Sequence, residues 1–474
     1  MTDSAMTAPT VALVQVPALH SRRGVESAML MFAWAISVAA YADAGYGVAG
    51  RWPDGLAGYG FTLAALTAAA HAAVRHFARY ADPVLLPCAV FLNGLGLALI
   101  YRLDFDNKGA GRTIGDYTPR GDAGVQLIWT TIGIALFVGV LAAVRDHRTL
   151  QRYTYTAGAV GLVMLALPAL LPTRYSEVNG ARIWVRLSGF SIQPGEFAKL
   201  LLIVFFAGYL VVKRDVLALA GRRFAGIDLP RGRDLGPIVT AWLASVAILM
   251  AERDVGMSFL FFGVFVLLLY IATERTSWLL FGVLMFSAGA SLAYFAIGHV
   301  HSRVDIWLHA FAGNNPSNKS YQLVQSLFGF ATGGVLGTGL GHGRPSIVPY
   351  AKTDFIMATA GEELGLTGVM AILLVYAIMV QRGLRTALAA RDSFGKLLTA
   401  GLAAILALQV FVIVGGVTRL IPLTGLTTPF LSYGGSSLVA NWALLALLLR
   451  VSDTARRPAP ALLATTDADT MVLR

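Results

Sequence analysis

Charged residues are scarce in this chain of 474 residues. They make up 13% of it, whereas soluble domains carry about 25%. Hydrophobic residues reach 56%, and the mean hydropathy is +0.67. A soluble protein needs a polar surface, so the composition excludes a soluble globular protein, a disordered chain and a collagen-like fibre. It also argues against an outer-membrane barrel, whose strands alternate polar and apolar residues. The composition predicts an all-α polytopic membrane protein.

Cysteine is almost absent, because Cys88 is the single one. An intrachain disulfide cannot form, so cysteine usage does not indicate the redox compartment. The polar N-terminus lacks an apolar core that ends at a small-residue cleavage site, so we expect no cleaved signal peptide. No Gly-Lys-Ser/Thr follows the glycines of 333–343, which excludes a nucleotide P-loop. The histidines His301, His309 and His342 lack metal-ligand spacing.

Twelve apolar runs are candidate membrane spans. They lie near 26–45, 57–75, 83–101, 125–144, 154–172, 191–213, 237–251, 255–273, 277–297, 356–380, 397–418 and 432–450. With the N-terminus inside, the cytoplasmic loops hold more Lys and Arg than the opposite loops, which predicts both termini in the cytoplasm of a multi-pass inner-membrane protein. The net charge of +11 is typical of such loops and indicates no nucleic acid partner.

We expect four parts, and the unusual sequence lies in one of them. They are a cytoplasmic N-terminal tail at 1–25, N-terminal transmembrane helices at 26–172, a transmembrane core at 173–452 and a disordered cytoplasmic tail at 453–474. The core includes a large extracytoplasmic loop at 298–355. The cytoplasmic loops are ordinary basic linkers, so chemistry is expected on the extracytoplasmic face. The lack of an internal repeat argues against a secondary transporter.

Polar residues interrupt the apolar pattern where the sixth run begins. Gln193, Glu196 and Lys199 are spaced by three, so they share one stripe of a helix. A Glu and a Lys in an apolar helix are costly unless they are paired. They form either a structural ion pair or a polar site that faces a cavity, and their position at the outer mouth, close to Arg182, favours the site. The later turn at 252–254 is a weak signal.

The outer loop contains a turn-rich stretch followed by glycines. The stretch at 314–319 precedes Tyr321 and Gln322 and an amphipathic run. Glycines can let backbone N–H groups approach a pyrophosphate. The alternative, which composition favours, is a flexible loop on the membrane surface.

Acidic residues mark the end of this loop and the start of the next span. Asp354 follows Lys352 near a helix N-terminus, where a carboxylate suits the helix dipole. Glu362 and Glu363 lie within the span, so we expect them to face the protein interior or water.

The segment 422–437 is rich in Pro and Gly, yet it lies between two spans. Irregular backbone at that depth survives only against protein or a water-filled cavity. We therefore predict a re-entrant, cavity-lining segment.

These strings follow one another in an order that resembles a known family. RIW, QPGEFAK, ERDVG, SYQLVQS, KTDF, GEELG and PLTGLTTPFLSYGGSS occur between about residues 180 and 450. Together they resemble the SEDS family (shape, elongation, division and sporulation), which includes RodA, FtsW and SpoVE. The strings RDSFGK and GGVTRLIPLTGLTTP look most like the actinobacterial RodA branch. The resemblance implies a core of ten spans, with two extra N-terminal spans here.

The resemblance also implies an activity. SEDS proteins polymerise lipid II into glycan strands at the outer face of the cytoplasmic membrane, in cell wall elongation or division and cell shape control. They work with a class B penicillin-binding protein and release undecaprenyl pyrophosphate. A carboxylate would act as the base, and cations or a divalent metal ion would stabilise the pyrophosphate. No other cofactor is implied. The predicted substrate-binding residues are Arg182, Glu196, Lys199, Tyr321, Gln322, Lys352, Asp354, Glu362, Thr428, Ser432 and Tyr433.

One position departs from the family pattern. Six residues before Tyr321 the family has an Asp followed by Pro, proposed as catalytic, but this chain has Asn315. An amide cannot accept the proton. Either the chain is impaired and acts as a scaffold or regulator of a penicillin-binding protein, in which case Asn315→Asp should raise polymerisation, or another carboxylate such as Asp305 or Asp354 has taken over. A flippase for lipid-linked precursors is a third hypothesis, although a transporter should carry polar groups at the midplane and on both faces.

Overall fold

The computed structural model describes residues 23–105, 121–178, 181–187, 190–218, 220–224, 227–230, 255–313 and 315–458. The helices are α1 Arg23–Ala49, α2 Leu56–Phe77, α3 Leu85–Asp104, α4 Asp122–Ala143, α5 Arg148–Arg152, α6 Thr154–Leu170, α7 Thr173–Ser176, α8 Pro194–Ala218, α9 Val255–Thr273, α10 Ser277–Ala296, α11 Gly298–Leu308, α12 Tyr321–Gly333, α13 Ile356–Ala389, α14 Ser393–Val417 and α15 Gly435–Arg456. Short 3₁₀ turns lie at Asn315–Ser317 and Pro345–Ile347.

Three short antiparallel hairpins accompany the helices. They pair β1 Glu177–Val178 with β2 Ala181–Arg182, β3 Val185–Leu187 with β4 Phe190–Ile192, and β5 Ala220–Phe224 with β6 Ile227–Pro230. The first two hairpins fill the loop between α7 and α8. Their strands are too short to show an alternating pattern, which is why the sequence did not predict them.

Ten of the described helices are long and apolar enough to cross a membrane. They are α1, α2, α3, α4, α8, α9, α10, α13, α14 and α15. The shorter α6 is also apolar, so the described helices match eleven of the predicted apolar runs. The run at 237–251 lies outside the described residues. The all-α membrane fold is confirmed, and the count of about twelve spans stays a prediction.

Burial separates central helices from peripheral ones. The most apolar windows of α3 and α15 are 94% buried, whereas that of α10 is 6% buried. Exposed side chains such as Leu284, Leu292 and Phe295 cover α10. In a bilayer such side chains meet lipid tails, which are as apolar as they are. The bundle is therefore built around α3 and α15, with α10 at its edge.

Polar contacts between helices gather at two ends of the bundle, which α3 connects. Just before α3, the backbone N–H of Tyr80 donates to Asp453 at 2.7 Å. At the last residue of α3, Lys352 Nζ donates to Asp104 Oδ1 at 2.7 Å. A helix of 20 residues is about 30 Å long, which is the thickness of the hydrocarbon core. The two polar ends are thus one bilayer apart.

The first and last described helices share one of these ends. Helix α1 begins where α2 finishes, because Glu26 Oε1 lies 2.9 Å from His71 Nδ1. Helix α15 finishes beside the loop that follows α2, through Asp453. We call this the Asp453 end, and the opposite one the Asp104 end.

Helix α3 packs against the backbone of the chain that precedes α15. A Cβ built on Gly96 would lie 2.3 Å from the carbonyl oxygen of Leu431. No side chain fits at that distance, so the close approach requires glycine. By contrast, a Cβ on Gly139 of α4 would meet nothing within 4 Å.

We expect Gly96→Ala to lower the free energy of unfolding by about 1–3 kcal/mol, the usual cost of overpacking. Thermal unfolding in detergent measures the change. Gly139→Ala is the matched control, and its melting temperature should stay the same or rise, because Ala is the better helix former. Equal melting temperatures for both variants would show that the contact between α3 and Leu431 is wrong.

Candidate active site

The chain from 421 to 434, between α14 and α15, forms no regular helix or strand, as predicted, whereas residues 435–437 of the predicted segment begin α15. It is nevertheless buried: Phe430 and Leu431 are 2% and 0% exposed. The hydroxyl of Tyr376 donates to the carbonyl oxygen of Pro429. The segment therefore lies against protein at the Asp104 end, the setting that irregular backbone in a membrane needs.

Side chains satisfy the backbone of this segment. Gln126 of α4 donates from Nε2 to the Ser432 carbonyl oxygen at 3.0 Å and accepts at Oε1 from the backbone N–H of Gly434 at 3.2 Å. The backbone N–H of Thr428 donates to Ser432 Oγ at 2.9 Å. The buried hydroxyl of Thr428 has no hydrogen-bond partner in the described part of the chain. The Thr428 hydroxyl is therefore a buried polar group without a partner among the described residues.

Glu196 and Lys199 form a buried ion pair at the start of α8. Lys199 Nζ lies 2.6 Å from Glu196 Oε2, and each side chain is 1% exposed. Lys199 Nζ also donates to Gln409 Oε1 at 3.2 Å, and Gln409 Nε2 donates to the Thr427 carbonyl oxygen at 2.9 Å. The structure thus makes this pair a buried link between α8, α14 and the irregular segment, rather than an open polar site.

Residues before α13 join the same segment from the other side. The backbone N–H of Tyr433 donates to the Lys352 carbonyl oxygen at 2.7 Å, and Ser432 Oγ donates to the Thr353 carbonyl oxygen. Lys352 Nζ donates to Asp104 Oδ1 and to Asp122 Oδ2, each at 2.7 Å. Lys352 is therefore held by two carboxylates at the ends of α3 and α4.

Asp354 is a half-buried carboxylate beside this junction. Thr353 Oγ1 donates to its Oδ1 at 2.8 Å. Burial raises the pKa of Asp354, while the hydrogen bonds and the positive charge of Arg303 lower it by less. Burial also raises the pKa of the Tyr433 phenol, and the carboxylates of Asp122 and Asp104 raise it further. Burial at this junction therefore disfavours the charged forms of Asp354 and Tyr433.

Arg303 fixes helix α11 to the irregular segment, and Arg419 fixes it to the chain just after α14. Arg303 Nη1 donates to the Leu423 carbonyl oxygen at 2.8 Å. Arg419 Nε donates to the Trp307 carbonyl oxygen at 2.8 Å, and Trp307 Nε1 donates back to the Arg419 carbonyl oxygen at 3.0 Å. Because Arg419 binds a carbonyl of the last turn, it also satisfies an acceptor that the helix itself leaves unpaired.

Asn315 has a structural contact that a carboxylate could not make. Its side-chain Nδ2 donates to the His309 carbonyl oxygen at 3.0 Å. Its own carbonyl oxygen accepts from the backbone N–H groups of Asn318 and Ser320 at 3.1 and 3.0 Å. Nearby, His309 Nδ1 lies 3.1 Å from Asp305 Oδ1, and both side chains are exposed. Asn315 closes the turn between α11 and α12.

Glu362 and Glu363 belong to a second cluster. The backbone N–H of Arg344 donates to Glu362 Oε1 at 2.6 Å. Glu363 Oε1 lies 2.8 Å from Arg102 Nε, and both side chains are buried. As predicted, the two carboxylates face the protein interior. Glu362 contacts the 334–344 segment instead of the 422–437 segment.

The glycine-rich segment 334–344 packs along α13. Thr338 and Gly339 donate their backbone N–H groups to the carbonyl oxygens of Glu362 and Glu363, each at 3.0 Å. These acceptors are free because Gly365, with φ +68°, interrupts the helix. These hydrogen bonds hold the segment against α13, although Val335 and Leu336 are exposed.

The remaining predicted residues lie apart from the junction. Arg182 Nε is 3.7 Å from Glu177 Oε2, within the first hairpin. Tyr321 and Gln322 are half-buried at the start of α12. The turn at 252–254 lies outside the described residues. Within the described ranges, no three or more His, Cys, Asp or Glu side chains gather as metal ligands.

Several residues of the site were not predicted from the sequence. Gln126 and Gln409 are polar side chains inside apolar spans, a pattern that indicates function or pairing and could have revealed them. Arg303 and Arg419 gave no signal, because an outer loop of a basic protein is expected to contain arginines.

We expect Lys199→Met to lower the free energy of unfolding by about 3–5 kcal/mol, because it leaves Glu196 buried without its cation. The double variant Glu196→Gln/Lys199→Met should recover most of this loss. Arg51→Met breaks an exposed pair with Asp54 and should change stability by less than about 1 kcal/mol. A single variant as stable as the native chain would refute the buried pair.

Comparisons with known proteins agree with this geometry. The family described as "Cell cycle protein", which covers FtsW, RodA and SpoVE, matches residues 83–457. The protein named peptidoglycan glycosyltransferase RodA of Mycobacterium tuberculosis (strain ATCC 25618 / H37Rv) is 53% identical over 447 residues, which cover 93% of each chain. The protein of the same name from Mycobacterium leprae (strain TN) is 52% identical over 445 residues, again 93% of each chain.

A solved structure supports the same relationship. It is described as "Structural coordination of polymerization and crosslinking by a peptidoglycan synthase complex" and superposes with a TM-score of 0.54 at 25% identity. The match covers 85% of this chain and 98% of that chain. With the family match and the relatives above, this protein belongs to the FtsW/RodA/SpoVE (SEDS) family and is similar to actinobacterial RodA over 93% of its length.

Proposed function

We propose that this protein is a peptidoglycan glycosyltransferase of the RodA type, which polymerises lipid II into glycan strands for cell wall growth and shape. The observation that carries this proposal is the identity of 53% over 93% of both chains with relatives of that name. At this similarity the whole fold is shared, including the segments that build the polar junction.

The reaction transfers a glycan from a lipid pyrophosphate to a sugar hydroxyl. The hydroxyl oxygen of the acceptor attacks the anomeric carbon of the donor, the bond from that carbon to the pyrophosphate breaks, and its electron pair leaves with undecaprenyl pyrophosphate. A base must take the hydroxyl proton. The junction of 352–354 with 428–433 places polar groups at one membrane surface, where the sugars and the pyrophosphate of a lipid-linked substrate lie. A divalent ion at the pyrophosphate remains a prediction.

The Asp104 end is the extracytoplasmic face in this proposal, and the Asp453 end is cytoplasmic. The distribution of Lys and Arg supports this orientation. It places the substrate-binding residues on the outer face and both termini inside.

The proposed partner is a class B penicillin-binding protein that crosslinks the new strands. The similar solved structure is described as coordinating polymerization and crosslinking, which supports a partner of this kind. Exposed residues of α11 and of the second hairpin, such as Leu308 and Arg186, are available to such a partner.

A second candidate function is that of an impaired paralogue, which acts as a scaffold for the same partner. Asn315 is the observation that favours it. If no base has replaced the family's Asp, the chain should bind lipid II and its partner without polymerising.

We expect the purified full-length chain, with its partner, to convert lipid II into glycan strands, which gel electrophoresis of labelled lipid II resolves. The RodA of M. tuberculosis is the positive control. If the chain binds lipid II and the partner but forms no strands, the scaffold function is correct. Lack of lipid II binding would refute both the glycosyltransferase function and the scaffold function.

Orientation can be tested with single cysteines in a Cys88→Ala background, because Cys88 is the sole cysteine and is buried. Ser317 and Thr149 are exposed at opposite ends. We expect a membrane-impermeant maleimide to label Ser317→Cys in intact cells and Thr149→Cys only after permeabilisation. The reverse labelling pattern would show that the protein has the opposite orientation in the membrane.

A further inference from the structure

We propose that Asp354 is the general base of this enzyme, in place of the carboxylate that Asn315 lacks. The inference rests on the proposed function. It draws on three observations: the contact of Asn315, the pairing of the other carboxylates and the position of Asp354.

Asn315 is fixed as a hydrogen-bond donor. Its Nδ2 is 3.0 Å from the His309 carbonyl oxygen. A carboxylate at this place would set two acceptors against each other, and neither could donate. The local structure is therefore adapted to the amide, and the base lies elsewhere.

Other carboxylates at the Asp104 end are neutralised by cations. Glu196 is paired with Lys199 at 2.6 Å, and Asp104 with Lys352 at 2.7 Å. Each of these carboxylates is therefore already engaged by an ammonium group. Glu362 is already occupied by the backbone N–H of Arg344.

Asp305 differs from Asp354 in its surroundings. Arg303 and Trp307 of α11 donate to the carbonyl oxygens of Leu423 and Arg419, whereas Asp305 lies two residues after Arg303, about 200° around the helix. Its side chain is 41% exposed and is paired with His309. Asp305 thus faces away from the junction and toward water.

Asp354 combines position with proton affinity. It follows the two residues whose carbonyl oxygens accept from Ser432 and Tyr433. Burial raises its pKa, which brings a carboxylate closer to the working pH of a general base. Of the charged groups around it, Arg303 faces it from α11, and Lys352 is neutralised by Asp104 and by the Asp122 carboxylate.

In the reaction, the acceptor hydroxyl gives its proton to the Asp354 carboxylate as its oxygen bonds to the anomeric carbon. Arg303 is a positioning residue, since its positive charge keeps the carboxylate ionised between turnovers. The electron pair of the broken bond leaves with the lipid pyrophosphate, so atoms and charges balance.

We expect Asp354→Asn to lower the polymerisation rate by about 10²- to 10⁴-fold, the usual value of general-base catalysis, with lipid II binding retained. Asp305→Asn, the same chemical change outside the junction, is the matched control and should keep the native rate. Asp354→Glu should restore part of the activity. An Asp354→Asn variant at the native rate, or loss of activity in Asp305→Asn, would overturn the proposal while the proposed function stands.

The pH profile provides a readout that folding defects do not imitate. The native rate should rise with pH through the pKa of Asp354, which lies above the ordinary value for Asp. Arg303→Gln removes the charge that lowers this pKa, so the rising limb should move to higher pH. If the rising limb of Arg303→Gln lies at the same pH as that of the native chain, Asp354 is not the general base. This readout holds even if Asp354→Asn does not fold.

Asn315→Asp separates the remaining outcomes. We expect no gain in rate, because the new carboxylate faces a carbonyl oxygen. An inactive native chain that gains activity in Asn315→Asp would show that the base was lost and would overturn Asp354. If both are inactive while the M. tuberculosis RodA polymerises the same lipid II, the proposed function itself is wrong.

Discussion

The structure depends on how buried, irregular backbone at 421–434 is satisfied. A chain without helical hydrogen bonds cannot face lipid, since each unpaired group costs several kcal/mol. Here Gln126, Gln409 and Tyr376 reach the segment from α4, α14 and α13. The helices that surround the segment are thus held together by the side chains that satisfy it.

The same requirement explains where charge is placed. Gln409, which donates to the segment, also accepts from Lys199, so the buried cation needs Glu196 as its counter-charge. Lys352, whose carbonyl oxygen accepts from Tyr433, directs its ammonium group to Asp104. Lys199 and Lys352 are each paired with a carboxylate, because an unpaired buried charge is very costly. Asp354 is different, since burial raises its pKa.

Much of the fold follows from the sequence. Long apolar runs predict spans because a bilayer fixes their length, and the Pro- and Gly-rich 422–437 segment predicts the irregular backbone found at 421–434. Contacts between residues that are far apart in the sequence cannot be predicted in this way. The spacing of Glu196 and Lys199 shows that they share a helix face, but their burial depends on Gln409, 210 residues from Lys199. Arg303 and Arg419 look like ordinary loop residues until α11 is folded onto the segment.

The identity of residue 315 illustrates why a family pattern has to be examined residue by residue. Aligned strings indicate that a carboxylate is missing, but they do not show whether the surroundings still require one. In the fold, the amide of Asn315 donates to a carbonyl oxygen, so the turn is built for a donor. A base is useful only where its proton affinity suits the reaction, and burial supplies that affinity at Asp354. The chemistry can therefore pass to another loop residue at the Asp104 end without a change in the helical framework, because that framework depends on the buried segment at 421–434 rather than on residue 315.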